Sequence, residues 1–256
     1  MILDVDPKPV AARRSARVRA HARLELTMLL RNGEQLLLTV VLPLGLMLML
    51  SLTEIIDVGG ATRPDRLAIV VPSMFALAVL STSFTALAIQ TGFERRYGVL
   101  RRIGTTPLRR SDVLLGKSLA VLAIETVQVA ALGGVGAALG WRPDLGGLLV
   151  AIPLLLLGSA ALASLALLLA GVVRAEATLA LANLAYLVLA GAGVVIPIDR
   201  APESLQPVLE VLPSAALAES LRIATSSGDV SWTLVVTMIV WLAIAAAGVS
   251  RWFRWE

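Results

Sequence analysis

Residues 145–173 read LGGLLVAIPLLLLGSAALASLALLLAGVV, without one charged side chain. A helix rises about 1.5 Å per residue, and the hydrocarbon core of a bilayer is about 30 Å thick, so about 20 apolar residues suffice to cross it. This run exceeds that length and reads as a membrane span that is tilted, kinked at Pro153 or unwound at one end. Outward from it the same pattern recurs. Span three is expected at about 113–140, and span five at about 177–196 after a tight Arg174–Glu176 turn. Span two covers about 66–90 with Pro72 and a hydroxyl-rich middle (Ser81, Thr82, Ser83, Thr85), a composition that favours close helix contact. Span one is 36–52, with a kink expected near Pro43 and Gly45, and span six about 230–250. The region before 36–52 is long and contains acids, and no small-x-small site follows the run, so it is read as a span and not as a cleavable signal peptide. The fold class is therefore all-α, a polytopic membrane protein of six spans.

Composition agrees. Of the 256 residues 57% are hydrophobic and only 16% charged, against roughly a quarter charged in soluble domains. Aromatics are 4%, too few for a base-stacking platform, so the net charge of +4 is not a nucleic-acid signature. The absence of cysteine excludes thiolate chemistry and disulfides. His21 is the only histidine, which argues against a metal site; its expected place is solvated or facing headgroups.

The cations are distributed unevenly. Sixteen of the 22 lysines and arginines fall in the N-terminal segment, the loop after span two, the turn after span four and the C-terminus, against five in the other loops. The positive-inside rule then puts both termini in the cytoplasm, which an even number of spans requires. Residues 1–34 divide into a polar tail and a basic amphipathic helix from Ala11 to Asn32. Val18, Ala22, Leu26 and Leu29 share one face of that helix among five arginines. It either lies on the membrane surface or packs on a partner. Residues 35–251 form the transmembrane domain and 252–256 a cytoplasmic tail, with Arg251–Trp255 an aromatic and cationic interface anchor at the end of span six.

Gly116-Lys117-Ser118 resembles the end of a phosphate-binding loop, but Ser111 stands where the first glycine belongs and no strand precedes it. Lys117 is expected near the headgroups. Residues 93–111, FERRYGVLRRIGTTPLRRS, are the most charged internal segment. A short helix is expected over Glu94–Ile103, ended by Gly104-Thr105-Thr106-Pro107, with Ser111 capping span three. On physics alone this is either a lever that a partner could grip or an ordinary topogenic loop. Residues 197–229 are proline-punctuated; Pro202 is expected to start one short helix and Ser214 to cap another. Gln90, Glu125, Gln128 and Asn183 fall inside spans. A carboxylate there costs roughly 2.5–3.5 kcal/mol on insertion scales, so Glu125 should face protein or water, as a structural hydrogen-bonding group, a proton relay or a substrate counter-ion.

The segment Phe93–Leu108, followed by Leu115-Gly116-Lys117, resembles the signature region of type-2 ABC transporter permeases, and of drug-resistance permeases of the daunorubicin-exporter type in particular. The match is sharpest over about 25 residues, with the element order agreeing along nearly the whole chain. The resemblance implies two permeases, identical or similar, with two separate ABC ATPase subunits that carry ATP and Mg. No cofactor is then bound by this chain, and it has no enzymatic role. It makes 93–111 the coupling segment, with Glu94, Arg95, Arg96, Gly98, Leu100, Arg101, Arg102, Thr106 and Pro107 as candidate ATPase contacts. Simultaneous charge reversal at Glu94 and Arg101 is then expected to uncouple hydrolysis from export. It also implies that Pro213, Leu221 and Arg222 belong to an insertion, 197–229, dipping into the outer leaflet; an exterior amphipathic cap is the alternative. The implied function is export of a drug, secondary metabolite or lipid across a bacterial inner membrane, in contact with membrane lipids. An ATP-independent channel or proton-coupled transporter is the alternative.

Overall fold

The computed structural model describes residues 12–31, 33, 37–53 and 58–253. The expected polar tail (1–10), residues 54–57 of the loop after span one and residues 254–256, with the end of the C-terminal anchor, lie outside them. Among the described residues every regular element is helical. Five helices are long and apolar enough to cross a membrane, and a shorter apolar helix covers Thr39–Leu52.

The order is α1 (Arg14–Arg31), a wide π turn at Leu37–Val41 leading into α2 (Leu42–Leu52), α3 (Arg63–Arg96), α4 (Val99–Ile103), α5 (Arg110–Leu139), α6 (Leu145–Val172), α7 (Ala175–Val195), a single 3-10 turn at Ile198–Arg200, α8 (Gln206–Val211), α9 (Pro213–Ser227) and α10 (Trp232–Trp252). The axis of the bundle is α3, whose residues from Val70 to Leu80 are all buried. Around it pack α2, α5, α6, α7 and α9, while α10 closes against α6 and α9. Phe75 of α3 meets Trp141 edge to face, ring centroids 5.7 Å apart. Leu149, Ile152 and Leu156 of α6, Leu184 and Leu187 of α7, and Val236 and Ile244 of α10 point outward and are exposed. So much contiguous apolar surface is stable only in lipid. The chain is a multi-pass membrane protein.

Several expected boundaries move, each for a local reason. Span two begins at Arg63 because Thr62 and Asp65 form a reciprocal capping box (Thr62 N donates to Asp65 Oδ2 at 3.1 Å, Asp65 N to Thr62 Oγ1 at 3.4 Å). It then runs on past Gln90 to Arg96, so the expected helix Glu94–Ile103 is divided between two elements. The division is at Gly98, whose φ of +69° closes α3 in the left-handed conformation that glycine adopts without steric cost. Ser111 is not the cap of span three: α5 starts at Arg110, and the Asp112 carboxylate accepts from the Arg109 N–H at 3.2 Å. Neither Pro202 nor a Ser214 cap starts a helix. Pro207 and Pro213 instead occupy first-turn positions of α8 and α9, where a missing N–H costs nothing.

The α9 helix is not a peripheral cap on the bundle. It is buried along most of its length against α3, α6 and α10. Gly158 of α6 admits Leu217 so closely that a Cβ there would sit 2.6 Å from its methyls.

Candidate functional site: a buried ion cluster beneath an exposed arginine helix

At the end of the bundle that carries α4, three helices distant in sequence converge on one ammonium. Lys117, in the second turn of α5, is 2% exposed. Its Nζ donates to Glu25 Oε2 of α1 at 3.0 Å and to Glu94 Oε1 of α3 at 2.8 Å. Gln90, one turn before Glu94, donates its amide to both acids, at 2.7 Å to Glu25 and 2.9 Å to Glu94. His21, one turn before Glu25, places Nε2 3.2 Å from Glu25 Oε1. A charge in so dry a place is tolerated only when paired and hydrogen-bonded, and here the pairing partners come from three different helices. Burial holds the His21 imidazole below its ordinary pKa; Lys117 acts in the same direction and Glu25 against it.

These positions correct three expectations. His21 is not solvated: it lies on Gly116, where a Cβ would stand 2.4 Å from the imidazole Cδ2. Lys117 is not at the headgroups but at the centre of the cluster. The buried face of α1 is His21, Glu25 and Leu29, rotated from the purely apolar face expected; Leu26 and Leu29 pack on Ala120 and Ile124 of α5. One turn further out, Asp112 of α5 takes Arg14 Nε at 2.7 Å and Arg17 at 3.5 Å. α1 is thus fastened to α5 at three levels.

The residues expected to contact an ATPase separate into two sets. Glu94 faces inward, as described. Arg95 donates to the carbonyls of Ala170 at 2.8 Å and Val173 at 2.7 Å, satisfying the open C-terminal end of α6. Arg96 pairs with Glu176 in the first turn of α7 and lies over the Tyr97 ring. Leu100 is buried and pins α4 to the bundle. Arg101, Arg102, Thr106 and Pro107 are exposed, with Thr106 Oγ1 donating to the Ile103 carbonyl at 2.6 Å to close α4. A cavity of about 260 Å³ opens beside them, lined by Leu100, Arg101, Ile103 and Arg110 among others.

The polar residues within the spans also separate. Glu125 accepts from Ser83 Oγ at 2.6 Å, and Ser83 lies 2.8 Å from Ser159 Oγ of α6. Gln128 accepts from Thr82 at 3.0 Å and donates to the Thr39 carbonyl at 2.7 Å. Ser83 and Thr82 lie in a π turn of α3, Leu80–Ala86, which presents both hydroxyls to α5. Asn183 is exposed on the outer face of α7. At the opposite end, Pro213, Leu221 and Arg222 are all buried. Arg222 donates to Ser73 Oγ at 2.9 Å, to the Gly193 carbonyl at 3.2 Å and to the Val194 carbonyl. It thereby ties α9 to α3 and to the broken end of α7, where Gly193 has φ +85°.

Sequence alone gives no role to Glu25 or Ser159 and sets Lys117 near the headgroups, away from its true place. One signal pointed to Glu25: an acid four residues after His21, alone in a basic helix. Among the described residues no group of histidine and acidic side chains could hold a metal ion, and no nucleophile–base pair or cofactor-binding group is assembled. No curated protein matches the chain in sequence. The family model described as ABC-2 type transporter matches residues 17–226, a range that holds the ion cluster, α4 and nearly all of α9. On that match, and on the helical membrane fold it covers, the chain belongs to the ABC-2 type transporter permease family.

Proposed function

We propose that this chain is the membrane-spanning subunit of an ATP-driven exporter of an amphipathic or lipophilic compound, with ATP and Mg bound by a separate ABC ATPase. The observation that carries this reading is the exposed α4, bearing Arg101 and Arg102, on a base that cannot yield locally. Leu100 anchors it, Gly98 joins it directly to α3, and the Lys117 cluster welds α3 to α1 and α5. A push on α4 therefore moves three helices together. In the proposed arrangement α4 and both termini are cytoplasmic, the Thr39–Leu52 helix is the first of six spans, and α9 is re-entrant from the outer face. Two permeases act together; the amide of Asn183, exposed on an otherwise apolar helix face, favours a second copy against α7, since an amide directed into lipid alone is unfavourable. Among the described residues Glu125 is held by the Ser83 and Ser159 hydroxyls and by no further carboxylate, which favours a structural role over a proton-coupled mechanism.

Co-expression with an ABC ATPase encoded beside this gene tests the reading. The pair is expected to co-purify, and vesicles carrying it are expected to accumulate a fluorescent amphipathic drug only with ATP. Arg101→Glu with Arg102→Glu is expected to abolish both while the permease still inserts. Uptake that persists without ATPase would sink the proposal. Reversal at Glu94 is not a clean test, because it would place a second cation beside the Lys117 ammonium inside the buried cluster.

A further inference from the structure

An apolar groove of about 560 Å³ runs along α6 between α7 and the last turn of α10, lined by Phe84, Leu165, Leu169, Val172, Leu181 and Trp252 among others. From Leu165 to Val173 the axial rise is about 12 Å, close to the roughly 15 Å of hydrocarbon in one leaflet. The groove begins at the α4 end of the bundle, the end placed in the cytoplasm by the charge distribution, and stops near mid-membrane. At the α4 end Arg174 directly follows the lining residue Val173, and Arg251 directly precedes the lining residue Trp252. Both are exposed, and neither guanidinium has a partner among the described residues. Glu176, two residues after Arg174, is already paired with Arg96. Arg95 adds a further positive charge at the α6 end.

We propose that this groove is a binding site for one anionic glycerophospholipid of the cytoplasmic leaflet, an acyl chain lying along α6 and the phosphate held between Arg174 and Arg251. The chemistry fits both ends: a wall without polar groups for the chain, and two guanidinium groups, without a partner among the described residues and suited to bidentate phosphate contact, at headgroup level. A second copy of this chain fits less well, since a two-fold interface centred here would bring like arginines together. The site stands whether or not α4 engages an ATPase.

Native mass spectrometry of the full chain, released from a neutral detergent and titrated with phosphatidylglycerol or phosphatidylcholine of matched chains, tests this. One phosphatidylglycerol per chain is expected to bind at a concentration at least tenfold below that needed for phosphatidylcholine. Arg174→Gln with Arg251→Gln, both on the surface, is expected to erase that preference. Leu181→Trp, which fills the groove from its lipid-facing side, is expected to weaken both lipids about tenfold while circular dichroism stays unchanged. Equal binding of the two lipids, or a preference untouched by the double arginine variant, overturns the proposal. So does lipid displaced by a second copy as protein concentration rises.

Discussion

The ammonium of Lys117 was moved from water into a site where only 2% of the residue remains accessible, and two carboxylates moved with it. Removing one partner of such a set leaves the others uncompensated, which costs about 3–5 kcal/mol. Lys117→Met is therefore expected to lower the thermal unfolding midpoint in detergent far more than Lys117→Arg, which keeps the charge. Charge exchange, Lys117→Glu with Glu94→Lys, is expected to recover part of the loss because it retains one inter-helix pair. A midpoint for Lys117→Met within a degree of the parent would show that the cluster contributes no stability. At this scale the sequence was least legible. Lys117 stands in a Gly-Lys-Ser triplet at the start of an apolar run, and nothing in that context distinguishes a headgroup lysine from a buried one. The distinction depends on Glu25, 92 positions away.

At the scale of elements, α1 is joined to α5 through a histidine whose charged form the fold disfavours. Its folded pKa is lowered from 6.5 by burial. The stability this contributes is complete above about pH 6.5 and is lost as pH falls through the folded value, because protonation is then favoured in the undocked helix. Amide exchange of residues 16–29, corrected for its intrinsic pH dependence, is expected to accelerate between pH 7.5 and 5, and His21→Gln is expected to flatten that response. A wild-type profile independent of pH would remove His21 from the docking energetics. At the other end, Arg222→Leu leaves Ser73 and the carbonyls at the break in α7 without their donor. Hydrogen bonds to a charged group are each worth roughly 1.5–3 kcal/mol, so exchange protection of α9 is expected to fall sharply. Element existence was readable here: five of the six apolar runs are helices long enough to cross a membrane, the first is a shorter apolar helix, and the arginine-rich segment between the second and third holds α4. Boundaries were not, because the Thr62–Asp65 box, the Asp112 cap and the first-turn prolines each compete with equally plausible neighbours in sequence.

Across the whole molecule, the membrane class was legible from composition alone, since apolar residues at this density cannot all be interior. Orientation is a reading of the charge distribution and is directly measurable, because the chain has no cysteine of its own. Single cysteines in place of Thr105, after α4, and of Ala201, after the 3-10 turn, give a complete test. In intact cells a membrane-impermeant maleimide is expected to label only the second. Labelling of the first without permeabilisation would invert the topology. What the sequence could not display was the central place of α3: burial on every side depends on the packing of five other helices.

The wide turn at Leu80–Ala86 has a consequence for tolerance to deletion. A π turn holds one residue more than an α turn, and each residue of an α-helix advances the side-chain direction by about 100°. Deleting Ser81 would let the segment close into an unbroken helix with little local disturbance. Every position after it would keep its phase, because the wide turn is what absorbs the surplus residue. Gln90 and Glu94 would still face Lys117, and Arg95 the end of α6, while Thr82 and Ser83 would lose the turn that presents them to α5. Deleting Ala76, in the regular part of the same helix, removes a residue that no turn holds in surplus and would turn every later position by about 100°. The first variant is expected to keep the α4 end of the bundle, and the second to insert and yet lose it.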